Sequence, residues 1–166
     1  MSELELLAER LGRELLSRKE SLATAESCTG GWAAQVVTAV AGSSAWFDRG
    51  FVTYSNDAKL EMLGVAATTL ERHGAVSEVT ARAMAQGALK HSRASWALAI
   101  TGIAGPTGGT PGKPVGMVCL AWAQRNAGCE ALTCQFAGSR AEVREQAVRL
   151  ALSGALKRVM AATLMA

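Results

Sequence analysis

Two histidines, one tyrosine and three prolines are all that this 166-residue chain contains of those residue types. The shortage of histidine narrows the catalytic options first. His73 and His91 have glycine or polar neighbours on predicted helix surfaces, so a Ser-His-Asp triad has no imidazole to draw on. The four cysteines, Cys28, Cys119, Cys129 and Cys134, form no C-x-x-C pair. That spacing argues against zinc, and no metal or other cofactor is expected. Aromatic residues make up 5% of the chain, none interleaved with a basic run. With a formal net charge of +3 and scattered cations, no nucleic-acid partner is expected, only a mild attraction for anionic metabolites. No apolar run is long enough to cross a bilayer, so no membrane partner is expected either. The amino terminus is acidic and amphipathic, unlike a signal peptide, and a cytoplasmic protein with reduced thiols is the expectation.

Nucleotide and hydrolase signatures are missing as well. In the loop Gly102 to Gly116, Thr107 stands where a Walker A motif needs its first glycine, and Pro114 follows Lys113 where Ser or Thr belongs. The loop is not G-x-G-x-x-G. Around Ser27, Ala25 and Thr29 replace both glycines of the G-x-S-x-G elbow.

What is present is a balanced α/β pattern. Apolar residues reach 49% and charged residues 19%, which suits one globular domain over residues 1–166. Leu4, Leu7, Leu11 and Leu15 recur at helical spacing between Glu3 and Lys19. Short strands are predicted at 22–26, 47–55 and 96–101, and helices at 32–40, 59–63, 67–73 and 77–92. Strands at 115–123 and 131–136 read as a hairpin across Asn126-Ala127-Gly128. Ser139 with Glu142 is a capping box opening a final helix. The fold class expected is a three-layer α/β/α sandwich around a mixed, mostly parallel sheet of about five strands. Ligands gather at the carboxyl edge of such sheets, where Ser27, Tyr54 and Thr101 would converge.

Three strings carry the chemistry. Thr24-Ala25-Glu26-Ser27-Cys28-Thr29-Gly30-Gly31 puts a hydroxyl at a strand end beside a helix start, whose N–H groups suit a phosphate or an oxyanion. Ser27 also reads as a simple helix cap. Gly50 to Lys59 ends a strand in Tyr54 and reaches a lysine five residues on. Lys59 is either a solvated lysine or the base that replaces imidazole. As a base its pKa has to fall from about 10.4 to about 7, through burial and a cation such as Arg140. Tyr54 is either an amphipathic strand-end ring or a relay to Ser27. Alternation turns Cys28 away from the direction of Ser27, so the serine is favoured as nucleophile. Ile100-Thr101-Gly102-Ile103-Ala104-Gly105 opens the glycine-rich loop. That loop reads equally as a phosphate cradle and as a flexible connector, with the phosphate alternatively on Thr29-Gly30-Gly31.

With Ser139-Arg140, these strings resemble the CinA C-terminal domain family of nicotinamide-nucleotide amidohydrolases, from about Leu22 to the last helix. The resemblance implies hydrolysis of the carboxamide of nicotinamide mononucleotide (NMN). It implies Ser27 as nucleophile, Tyr54 and Lys59 as the base system, and Thr101 and Arg140 at the site. Thr29, Gly30, Gly31, Gly102 and Gly105 are the accompanying candidates for substrate contact. A small-molecule nucleotide substrate and a homo-oligomer are expected. The alternative is a non-catalytic nucleotide-binding or interaction module, since family members often carry this domain behind a second one.

Overall fold

Helices and strands alternate along residues 1–162, the part of the chain that the computed structural model describes. Their order is α1 (Glu3–Arg18), β1 (Leu22–Glu26), α2 (Trp32–Thr38), β2 (Phe47–Val52), α3 (Asn56–Leu63), α4 (Ala67–His73), α5 (Glu78–Lys90), β3 (Trp96–Gly102), β4 (Met117–Gln124), β5 (Cys129–Gln135) and α6 (Arg140–Ala161). The leucine stripe of α1 buries Leu4, Leu11 and Leu15 together with Ala8. The capping box of α6 forms as its sequence dictates. Ser139 Oγ accepts from Glu142 N–H at 3.2 Å, and Ser139 N–H donates to Glu142 Oε1 at 3.0 Å.

The five strands form one sheet in the order β2-β1-β3-β4-β5. β1 lies between β2 and β3 and runs parallel to both. The pairs β3–β4 and β4–β5 are antiparallel. The sheet is therefore mixed, as expected, but parallel pairs do not predominate: the pairings divide two and two. After the loop at 103–116 the chain returns without a crossover helix, and only antiparallel strands can be joined that way. Asn126, in the left-handed region at φ 60°, closes the β4–β5 turn.

Helices cover both faces, giving three layers. α1, α2 and α6 pack over Leu22, Leu98, Ile100, Leu120 and Trp122. α5, with α3 and α4 beside it, packs over Ala23, Ala25, Ala97, Ala99 and Ala121. The alanine-lined face lets α5 lie close to the sheet. Among the described residues no helix is long and apolar enough to cross a membrane.

The path from β1 to β2 uses α2 on one face, and the path from β2 to β3 uses α3, α4 and α5 on the other. Chain direction diverges at β1, so the crevice at the carboxyl ends of β1, β2 and β3 is where this topology places a ligand.

Gly87 on α5 sets how closely α3 can dock. A Cβ there would stand 2.1 Å from Leu63 O, a backbone atom that cannot swing aside. Gly87→Ala is expected to destabilise the protein by about 2 kcal/mol, lowering Tm by roughly 4–8 °C in a calorimetric scan. An unchanged Tm would mean that the α3–α5 contact is looser than this packing implies.

Candidate active site

Alternation along β1 decides which side chains can meet. Ala23 and Ala25 face α5, whereas Leu22 faces the α1–α2–α6 layer. Ser27 continues the Ala23–Ala25 row, and its N–H still holds sheet register, donating to Ile100 O at 2.9 Å. Lys59, in the first turn of α3, approaches from that same face. Its Nζ lies 3.0 Å from Ser27 Oγ. The lysine is only 1% exposed.

The turn ahead of α3 explains how a lysine is buried there. β2 stops at Val52, short of the predicted Ser55, and Ser55 itself becomes the helix cap, its Oγ accepting from Ala58 N–H at 3.0 Å. Asn56 and Asp57 are the first helical residues, so the helix starts three residues before the predicted Lys59. The turn presents three carbonyls to the Lys59 amine: Thr53 O at 2.9 Å, Tyr54 O at 3.3 Å and Ser55 O at 3.5 Å. Burial pushes the Lys59 pKa below its ordinary value. Cys28 packs mainly into the α1–α2–α6 core. Burial raises its thiol pKa to about 11, which leaves it protonated near neutrality and a poor nucleophile.

Tyr54 takes a different place from the one its spacing suggested. Its carbonyl accepts from Ser27 Oγ at 3.4 Å, but its side chain is 61% exposed. The phenol oxygen accepts from Arg140 Nη2 at 3.2 Å and is not part of the Ser27–Lys59 contact. Tyr54 lies beyond the strand, where two-residue alternation no longer governs direction. Arg140, the first residue of α6, also donates from Nη1 to Gly105 O at 2.8 Å, tying that helix to the glycine-rich loop. Gly105 has φ 83°, and a Cβ there would meet Val115 Cγ1 at 2.4 Å, so the loop needs glycine at this point. Thr101 continues the Ala97–Ala99 row, and its hydroxyl donates to Ala75 O at 2.8 Å, fixing the α4–α5 connection.

These groups line a cleft of about 270 Å³ that contains Ser27, Tyr54, Lys59, Thr101, Gly102, Gly105 and Arg140, with Cys28, Asn56 and Thr107. Of the glycine-rich loop, only the first part, between Gly102 and Gly108, lines the cleft.

Thr29, Gly30 and Gly31 are not among the lining residues, and the start of α2 is not open to an anion. The Glu26 carboxylate fills it, with Oε1 accepting from Ala33 N–H at 2.8 Å and Oε2 from Ala34 N–H at 3.1 Å. Thr29 Oγ1 donates to the same carboxylate at 2.7 Å. Two residues outside the predicted set thus shape the Ser27 turn: Glu26, and Arg144 on α6. Arg144 donates from Nε to Cys28 O at 3.0 Å and from Nη2 to Thr29 O at 3.1 Å. Its position one helical turn after Arg140 was the available signal. Among the described residues, no three His, Cys, Asp or Glu side chains gather as a metal site would require.

The model of the CinA C-terminal domain matches residues 4–159. The chain belongs to that family. It is 55% identical over 152 residues to the nicotinamide-nucleotide amidohydrolase PncC of Escherichia coli (strain K12), covering 91% of this chain and 92% of that one. A putative competence-damage inducible protein of Symbiobacterium thermophilum is 52% identical over 160 residues, which are 92% of this chain and 38% of that longer protein. Among solved structures, the competence/damage inducible protein CihA from Agrobacterium tumefaciens matches with a TM-score of 0.92 at 48% identity, covering 96% of this chain and 97% of that one. The family domain therefore occurs both as most of a chain and as part of a longer one.

The buried amine leaves a signature in stability. Its folded pKa lies below the unfolded value of about 10.4. Between the two values the unfolded chain binds more protons, so stability rises with pH across that window. Urea unfolding at about pH 7 and about pH 9.5 is expected to show wild type gaining stability relative to Lys59→Met as pH rises. Parallel behaviour of the two proteins would indicate a lysine that titrates at its ordinary value.

Proposed function

We propose that this chain is a serine amidase that hydrolyses the carboxamide of NMN to nicotinate mononucleotide and ammonia. The observation that carries this reading is the buried Lys59 amine 3.0 Å from Ser27 Oγ, inside a cleft at the sheet's carboxyl edge. The 55% identity with PncC over nearly the full length of both chains supports the substrate.

A neutral lysine amine has two N–H donors and one lone pair. The carbonyls of Thr53 and Tyr54 accept the N–H groups, and the lone pair faces the Ser27 hydroxyl. Ser27 Oγ attacks the carboxamide carbon as its proton passes to Lys59 Nζ. Cys28 N–H, the amide following the nucleophile, has no backbone acceptor among the described residues, and it is the donor that meets the oxyanion. When the tetrahedral intermediate collapses, the C–N bond breaks and Lys59 returns its proton to the leaving nitrogen, releasing ammonia. Water then attacks the acyl ester, giving one proton to Lys59, which passes it to Ser27 Oγ as the carboxylic acid leaves; the acid then loses its remaining proton to solvent, giving the carboxylate. The pyridinium ring withdraws electrons from the carbonyl throughout and lowers the barrier to attack.

Ser27→Ala is expected to reduce ammonia release from NMN by about 10³-fold or more, with the far-UV circular dichroism unchanged. Lys59→Met is expected to lose about 10²- to 10⁴-fold. A Ser27→Ala protein that keeps a substantial part of wild-type turnover would reject the nucleophile.

Tyr54→Phe removes only the hydrogen bond to Arg140. It is expected to lower kcat/KM by about threefold to tenfold, mainly through KM. A collapse of kcat instead would place the phenol in the proton path.

A further inference from the structure

We infer that Glu26 is a positioning residue for Ser27, holding the nucleophile's turn from beneath the sheet through the first turn of α2. The inference rests on the reading of Ser27 as nucleophile. Glu26 is 1% exposed and points to the face opposite Ser27, under α2. Among the described residues it forms no ion pair with a cation. Its charge is balanced instead by three donors: Thr29 Oγ1, Ala33 N–H and Ala34 N–H. A carboxylate buried without such partners would be strongly disfavoured, and the positive end of a helix adds to their effect.

The placement of those partners gives the carboxylate its role. Glu26 is joined covalently to one side of Ser27, while its side chain grips Thr29 on the other side. The Ser27 turn is therefore closed by a loop of short, charge-assisted bonds. Gly30 N–H donates to Ser27 O at 3.0 Å within that loop. Arg144 holds the Cys28 and Thr29 carbonyls from outside. With the backbone gripped from both sides, the Ser27 hydroxyl is left to Lys59 and to Tyr54 O. Glutamine at position 26 keeps one acceptor oxygen but turns an NH2 toward donors that need an acceptor, and the turn loosens. A displacement of about 1 Å at a reacting atom lowers rate by about 10²-fold. Because the Glu26 carboxylate bonds neither Lys59 nor the cleft, the substrate's KM and the pH midpoint set by Lys59 should stay in place.

Two readouts on the full chain test this. One is NMN turnover, and the other is the rate at which a fluorophosphonate labels Ser27. For folded Glu26→Gln, kcat and labelling rate are expected to fall about 10²-fold, with KM within about threefold and the rising limb of the pH profile unmoved. A kcat within twofold of wild type, or a loss confined to KM, overturns the role. If Glu26→Gln does not fold, Thr29→Val replaces it. A fall of about tenfold that Thr29→Ser restores supports the clamp, and wild-type rates in Thr29→Val overturn it. A wild type labelled at Ser27 but inert toward NMN would sink the proposed substrate and leave the labelling comparison to decide the role of Glu26.

Discussion

An amine buried against a hydroxyl is the constraint around which the rest of this molecule is arranged. Lys59 can leave water only if its N–H groups find acceptors. The chain supplies them by ending β2 at Val52 and bending through Thr53, Tyr54 and Ser55 before α3 begins. That bend has to sit beside the end of β1, and the parallel pairing of β1 with β2 brings it there: Thr53 N–H donates to Glu26 O at 2.8 Å, extending the ladder past the last strand residue. Gly87 then lets α5 press against the far end of α3. Sheet register, turn and helix docking all serve one short contact.

Much of this was legible in the residues. The leucine spacing of α1, the capping box of α6 and the strands that converge on one edge are local signals, and local rules read them correctly. Ser27 was read from its place at a strand end before a helix start, and strand alternation gave the divergence of Cys28 from it. The burial of Lys59 carried a weaker signal. Leu63 lies four residues later and on the same helix face, so a buried Leu63 carries Lys59 inward with it. Two features resisted a one-dimensional reading. The orientation of Tyr54 depends on where β2 stops, and strand ends are the least regular part of such a pattern. The anion site expected at Thr29-Gly30-Gly31 was already filled by Glu26, which shares a strand face with Leu22 and Thr24. A carboxylate in a strand buried along its whole length must have internal partners, and the nearby helix start and the Thr29 hydroxyl supply them.

Opposing effects set the protonation of the site. Burial pushes the Lys59 pKa down, while three carbonyls around Nζ favour the protonated form. In the proposed mechanism, an amine tuned between these tendencies accepts a proton from Ser27 and gives it back within one turnover. Cys28 is moved the opposite way by the same burial, because desolvation penalises whichever form is charged. One dry environment thus frees the lysine amine of its proton more readily and keeps the adjacent thiol silent. Sequence adjacency alone would not separate Ser27 from Cys28; desolvation and strand alternation together do.

The same balance bears on how the proposed cycle ends. Hydrolysis of the acyl-enzyme leaves a carboxylate where a neutral carboxamide had been, next to Lys59. A permanently charged lysine would hold that product as an ion pair, and in a desolvated cleft such a pair dissociates slowly. An amine whose charged form is already disfavoured by burial sheds its proton more readily, and the attraction lapses with it. In the proposed cycle, the depressed basicity that fits Lys59 to activate Ser27 also releases the acid product. A guanidinium at position 59, permanently charged and larger, could do neither.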